Sequence, residues 1–140
     1  MFAEVLQSLG RKRAVVLNGA GSMDEASLQG DNHLVILENG IITEKTLHPE
    51  EVGLSVYSNE AIVGGYASEN AEILKNVLKG NKGAHRDTVL LNAGIGIFTG
   101  GKVNTIVEGI ELAKETIDSG AALERLHRLI EASKVKAEVR

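Results

Sequence analysis

The sequence predicts an α/β fold: a partial sheet of one parallel-type strand plus a β-hairpin, with about four following helices. Three observations carry this reading. Ala14-Val15-Val16-Leu17 is a continuous apolar run leading into a glycine-rich loop, the pattern of a strand covered on both faces. Residues 33–47 hold two apolar stretches around Asn39-Gly40, a pair that readily takes the positive φ angles of a two-residue hairpin turn. From Ser68 onward, apolar residues recur at three- and four-residue spacing.

The elements follow in order. Phe2 to Leu6 reads as the end of a helix, closed by Gly10 as its C-terminal cap. The run 14–17 is the first strand, and Asn18 to Gly30 is a loop with room for one helical turn. The hairpin pairs 33–37 with 41–47, and Pro49 begins an irregular stretch to about Gly65. Ser68 is positioned to cap a helix with the face Ile73, Leu74, Val77 and Leu78, ended by Gly80. Residues 86–99 are apolar almost all round and fit either a buried helix or a strand. Thr105-x-x-Glu108 has capping-box spacing and precedes the stripe Ile106, Val107, Ile110, Ala113 and Ile117. Ser119-Gly120 breaks the chain, and Leu123, Leu126, Leu129 and Ile130 form the face of a last helix. Its tail, from Arg125 to Arg140, carries five basic and two acidic residues and reads as a solvated helix end.

Composition narrows the function. A net charge of −4 disfavours a nucleic-acid binder, which needs a basic footprint. A hydrophobic share of 43% with 24% charged residues matches a folded domain, and no run approaches the length of a membrane span. The chain has no cysteine, which removes disulfides, thiolate chemistry and cysteine zinc sites. No secretory signal opens the chain, so a cytoplasmic location is expected. A single double-faced strand beside one hairpin leaves an open sheet edge. This points to a piece of a larger sheet, or to self-association through the uncovered surface, as a homo-oligomer would provide.

The loop after the first strand holds the one motif with chemical content. Gly19-Ala20-Gly21 lacks the third glycine of a dinucleotide fingerprint, because Asp24 stands there and its carboxylate would repel a pyrophosphate. Asp24-Glu25, adjacent acids on a glycine-rich loop, suit Mg²⁺, which prefers a few carboxylates, water and phosphate oxygens. Ser22-x-x-Glu25 is also a capping-box spacing, with Asp24 in a first helical turn. His33, His48, His85 and His127 have no ligand spacing, and no nucleophile–base pair is evident, so no catalytic residue is assigned.

These pieces occur together in a recognisable order. Val15 to Gly19, Ser22 to Glu25, Leu47-x-Pro49-Glu50-Glu51-x-Gly53-Leu54 and Gly64-Gly65 come first. Glu69-Asn70-Ala71, Val77-Leu78-x-Gly80, Arg86-Asp87, Leu90 to Ala93, Glu108-Gly109 and Ile117 to Ala122 follow. The chain closely resembles the C-terminal part of the anthranilate phosphoribosyltransferase family, over essentially its whole length. The resemblance implies that residues 1–140 are the last portion of a phosphoribosyltransferase or nucleoside phosphorylase-like α/β domain. It implies transfer of a phosphoribosyl group from phosphoribosyl diphosphate to anthranilate in tryptophan biosynthesis. It makes Asp24 and Glu25 the acidic pair that holds Mg²⁺ on the diphosphate. The family's Gly-Thr-Gly-Gly-Asp, Asn-x-Ser-Thr and Lys-His-Gly-Asn-Arg donor-binding segments are not in this chain, so its substrate-binding residues stay unassigned. The 140 residues alone are expected to be inactive. Asn18-Gly19 also departs from the family's usual His-Gly. A nucleoside phosphorylase-like enzyme and a non-catalytic relative or assembly module are the alternatives.

Overall fold

The computed structural model describes residues 1–137, with side chains through residue 134. Helix α1 (Phe2–Ser8) leads to strand β1 (Arg13–Asn18). The strands β2 (Asn32–Glu38) and β3 (Ile41–Leu47) form the hairpin, and two 3₁₀ turns, Pro49–Val52 and Asn59–Ile62, lead out of it. Four helices follow: α2 (Ala67–Leu78), α3 (Ala84–Thr99), α4 (Ile106–Asp118) and α5 (Ala121–Ala137). The α/β class and the strand-then-helix order are as the sequence predicts. The basic stretch that begins at Arg125 runs out past the described residues.

The direction of the first strand is a correction. β1 was expected to be parallel-type, but it pairs antiparallel with β2, Arg13 opposite Glu38 through Asn18 opposite His33. The sheet order is β1-β2-β3. The apolar run reports that both faces of the strand are covered; it carries no information on the direction of the neighbour. Val15 and Leu17 share a face with Leu34 and Ile36 and join the main core, under α3. Ala14 and Leu37 belong to the opposite face, where α1 lies and buries Ala3. The connection from β1 to β2 stays non-helical, so it returns the chain without the helical crossover that a parallel neighbour requires.

Two local signals behave as expected, the hairpin turn and the α4 cap, each with its partners close in sequence. Asn39 (φ 50°) and Gly40 (φ 83°) make the hairpin turn with both angles positive. Residues 86–99 resolve as helix. Thr105 Oγ1 accepts from the Glu108 N–H at 3.1 Å, and the Glu108 carboxylate accepts from the Thr105 N–H at 3.2 Å, a closed capping box. The α2 cap is shifted: Tyr66 is its N-cap residue, and the Glu69 carboxylate accepts from its N–H at 2.8 Å, while Ser68 lies inside the helix.

Helices α3 and α4 form the dense centre, with Leu90, Leu91, Ile95 and Phe98 against Ile106, Ile110, Ala113 and Ile117. Their backbones touch at two glycines. A Cβ on Gly109 would lie 2.3 Å from the Gly94 carbonyl oxygen, and one on Gly94 would lie 2.8 Å from the Ile110 nitrogen. Arg13 turns inward. It donates to the Phe98 carbonyl at 2.8 Å, lies 4.9 Å from the Phe98 ring centre and pairs with Glu38. It thereby ties the sheet to the C-terminal turn of α3, where a cation is favoured.

Candidate functional site

The β1–β2 loop begins with a tight reversal. The Gly19 N–H donates to the Met23 carbonyl at 2.9 Å, and the Met23 N–H returns to Gly19 at 3.2 Å. Gly21 and Ser22 supply the positive φ angles of 75° and 62° that the turn needs. No helix starts at Ser22, so the capping-box reading of Ser22-x-x-Glu25 does not hold. The approach is close: a Cβ on Gly19 would lie 2.0 Å from the Glu25 carbonyl oxygen, so any side chain there would push the turn open.

The next fixed point is Ala26-Ser27, both fully buried. Two asparagines from different elements hold these peptides. Asn92 of α3 accepts from the Ala26 N–H at 2.9 Å and donates to the Ala26 carbonyl at 2.8 Å. Asn32, at the start of β2, accepts from the Ser27 N–H at 2.7 Å and donates to the Ser27 carbonyl at 2.9 Å. Each amide stands in for a neighbouring strand, with one donor and one acceptor per peptide. Asn59 adds a third tie, accepting from the Ser27 hydroxyl at 2.6 Å and donating to the Ala20 carbonyl at 3.1 Å. These partners lie up to 66 positions away, beyond the reach of local sequence patterns. The one available signal was an asparagine in the middle of an otherwise apolar helix.

Asp24 and Glu25 are the residues between these two fixed points. Both are exposed, and among the described residues neither carboxylate has a hydrogen bond or an ion pair. The structure therefore places the adjacent pair on one braced loop, exposed and, among the described residues, without a protein partner. Among the described residues no group of three or more histidine, aspartate or glutamate side chains could hold a metal. The donor set fits a hard cation such as Mg²⁺ that takes few protein ligands and completes its shell with water and phosphate oxygens. It does not fit a closed zinc site.

Glu25 also borders a pocket of about 330 Å³ between the 59–65 segment, α2 and α3. Ile73, Leu74, Val77 and Val89 give it an apolar wall, and His85 and Thr88 stand at its α3 side. Histidines 33, 48, 85 and 127 come from separate parts of the chain. Among the described residues no helix is long and apolar enough to cross a membrane.

Comparisons with known proteins find relatives over nearly the whole chain. A model of the glycosyl transferase family, a/b domain, matches residues 1–123. Anthranilate phosphoribosyltransferase of Oceanobacillus iheyensis is 56% identical over 139 residues, which are 99% of this chain and 41% of that protein. The crystal structure of anthranilate phosphoribosyltransferase from Thermus thermophilus superposes with a TM-score of 0.81 at 41% identity, over 90% of this chain and 37% of the other. The Saccharomyces cerevisiae anthranilate phosphoribosyltransferase in complex with PRPP and Mg superposes with a TM-score of 0.78 at 26% identity, over 88% of this chain and 36% of the other. The chain thus spans about two-fifths of the length of the relatives it matches.

Proposed function

The chain belongs to the glycosyl transferase family through its a/b domain, and from that premise we propose that it supplies the cation-holding turn of an anthranilate phosphoribosyltransferase. The reaction would move a phosphoribosyl group from phosphoribosyl diphosphate to the amine of anthranilate, releasing diphosphate, as a step of tryptophan biosynthesis. The observation that supports this reading is the braced loop, with two exposed carboxylates that make no bond among the described residues.

Asp24 and Glu25 would hold Mg²⁺ and have no part in proton transfer. Bound there, the ion would meet the negative charge that develops on the leaving diphosphate. The chain's own contribution is positional: the 19–23 reversal and the Ala26-Ser27 anchor fix both ends of the acidic pair before any ligand arrives. A site set in advance avoids ordering a loop at the moment of binding.

The test is a Mn²⁺ titration of the chain with inorganic diphosphate, free Mn²⁺ being read by electron paramagnetic resonance. Asp24→Asn combined with Glu25→Gln should abolish saturable retention and leave the circular dichroism spectrum unchanged. Equal retention by wild type and double variant would refute the site.

A further inference from the structure

We infer that Asn92, on α3, is a positioning residue for the acidic turn, a role that rests on reading Asp24-Glu25 as the cation site. Three bonds define its side chain. Oδ1 accepts from the Ala26 N–H at 2.9 Å, and Nδ2 donates to the Ala26 carbonyl at 2.8 Å and to the Thr88 carbonyl at 3.0 Å. The Thr88 bond joins the side chain to its own helix one turn back. The orientation of the amide is fixed by chemistry, since the Ala26 N–H needs an acceptor and the Ala26 carbonyl a donor.

Two further observations make this a device for the turn. Ala26 has no exposed surface, so water cannot replace Asn92 at its backbone groups. Ala26 also follows Glu25 directly, while Met23, which precedes Asp24, is fixed by its reciprocal bonds to Gly19. The acidic pair is a two-residue bridge between these anchors, and Asn92 holds the downstream one. Helix α3 is rigidly seated by Leu90, Leu91, Ile95 and Phe98, so it offers a firm base from which to hold a loop. A side chain that orients metal ligands in this way typically governs 10–100-fold in metal affinity.

Asn92→Leu removes all three bonds. Asn92→Asp keeps the acceptor for the Ala26 N–H but sets a carboxylate against two carbonyl oxygens, with little change in size. Leu91→Ala is the control, because it empties a fully buried position next to Asn92 and removes none of the three side-chain hydrogen bonds.

The experiment uses the whole chain, Mn²⁺ with inorganic diphosphate as probe, thermal unfolding by circular dichroism, and hydrogen exchange at the Ala26 amide. Both Asn92 variants should lose about 10–100-fold in Mn²⁺ retention, and Asn92→Leu should expose the Ala26 amide to exchange. Leu91→Ala should unfold at a lower temperature with Mn²⁺ retention and Ala26 protection unchanged. Equal loss of retention in Leu91→Ala and the Asn92 variants would overturn the inference by reducing Asn92 to general stability. Full retention in the Asn92 variants, with loss in the Asp24→Asn, Glu25→Gln double variant, would overturn it while leaving the site standing. Retention by the double variant, or none by wild type, would remove the site and the inference together.

Discussion

Helix α3 carries two unlike contacts, at Asn92 and Gly94, two residues apart and so on roughly opposite sides of the helix. At Gly94 it has no side chain, and the α4 backbone comes in so close that none would fit. At Asn92 it has a side chain of one particular shape and polarity, which grips the Ala26 peptide. The first contact depends on something being absent and tolerates no addition. The second depends on something being present and tolerates no removal. One side of α3 builds the core, and the other carries that rigidity to an exposed loop with two free acids.

The largest effect should come from the loop side, at Asn32. Its carboxamide is fully buried and serves the Ser27 N–H and the carbonyls of Ser27, Gly30 and Leu47, at 2.7–3.0 Å. Asn32→Leu keeps the branched shape of the side chain and strands these groups. Each buried unpaired group costs about 1–3 kcal/mol, so a loss of roughly 3–4 kcal/mol is expected, read as the change in urea unfolding free energy. A loss under about 1 kcal/mol would show that the loop finds other partners, and the comparison would lose its polar half.

Next in size is the core side, at Gly109. Alanine in a helix interior is favoured over glycine by roughly 0.5–1 kcal/mol. Against that gain, the new Cβ would sit 2.3 Å from a backbone oxygen of α3, which no side-chain rotation can relieve. Overpacking of this kind costs about 1–3 kcal/mol, so Gly109→Ala should destabilise by about 2 kcal/mol in the same assay. A stabilised variant would mean that α3 and α4 part easily.

The two contacts also differ in how far the sequence reveals them. The hairpin at Asn39-Gly40, the box at Thr105 and Glu108, and the stop at Gly120 are legible because each signal and its partner lie within a few residues. Ile106, Ile110, Ala113 and Ile117 are legible because burial has the helical period, although Val107 from the same expected stripe is exposed. Gly94 and Gly109 show only as glycines; their mutual contact is a fact about two helices. Asp24 and Glu25 are visible as a pair, but their bracing comes from Asn92, Asn32 and Asn59, and amide ties across such separations leave no periodic trace. Ser22-x-x-Glu25 shows the converse failure. It has the spacing of a cap, yet the Gly19–Met23 reversal takes the chain away from a helix. The direction of β1 is not legible, because an apolar run records covered faces and nothing of strand polarity.

The smallest effect sharpens the comparison at the start of α3, one turn before the Asn92 clamp. Asp87 lies in the first helical turn, where the helix dipole favours a negative charge. Burial nevertheless holds its carboxyl above the ordinary aspartate value, with Arg86 pulling the other way. The raised value fixes the sign of its linkage to folding. Below the unfolded value, roughly pH 4, the carboxyl is neutral in both states and carries no penalty. As pH rises through the folded value, the folded protein must ionise a partly buried acid, and stability falls relative to low pH. Asp87→Asn should therefore raise the thermal midpoint slightly at pH 7 and leave it unchanged at pH 3. A lower midpoint at pH 7 would mean that the dipole outweighs desolvation there. The N-terminal end of α3 would then be held by charge, in contrast to the hydrogen bonds and close packing that hold Asn92 and Gly94.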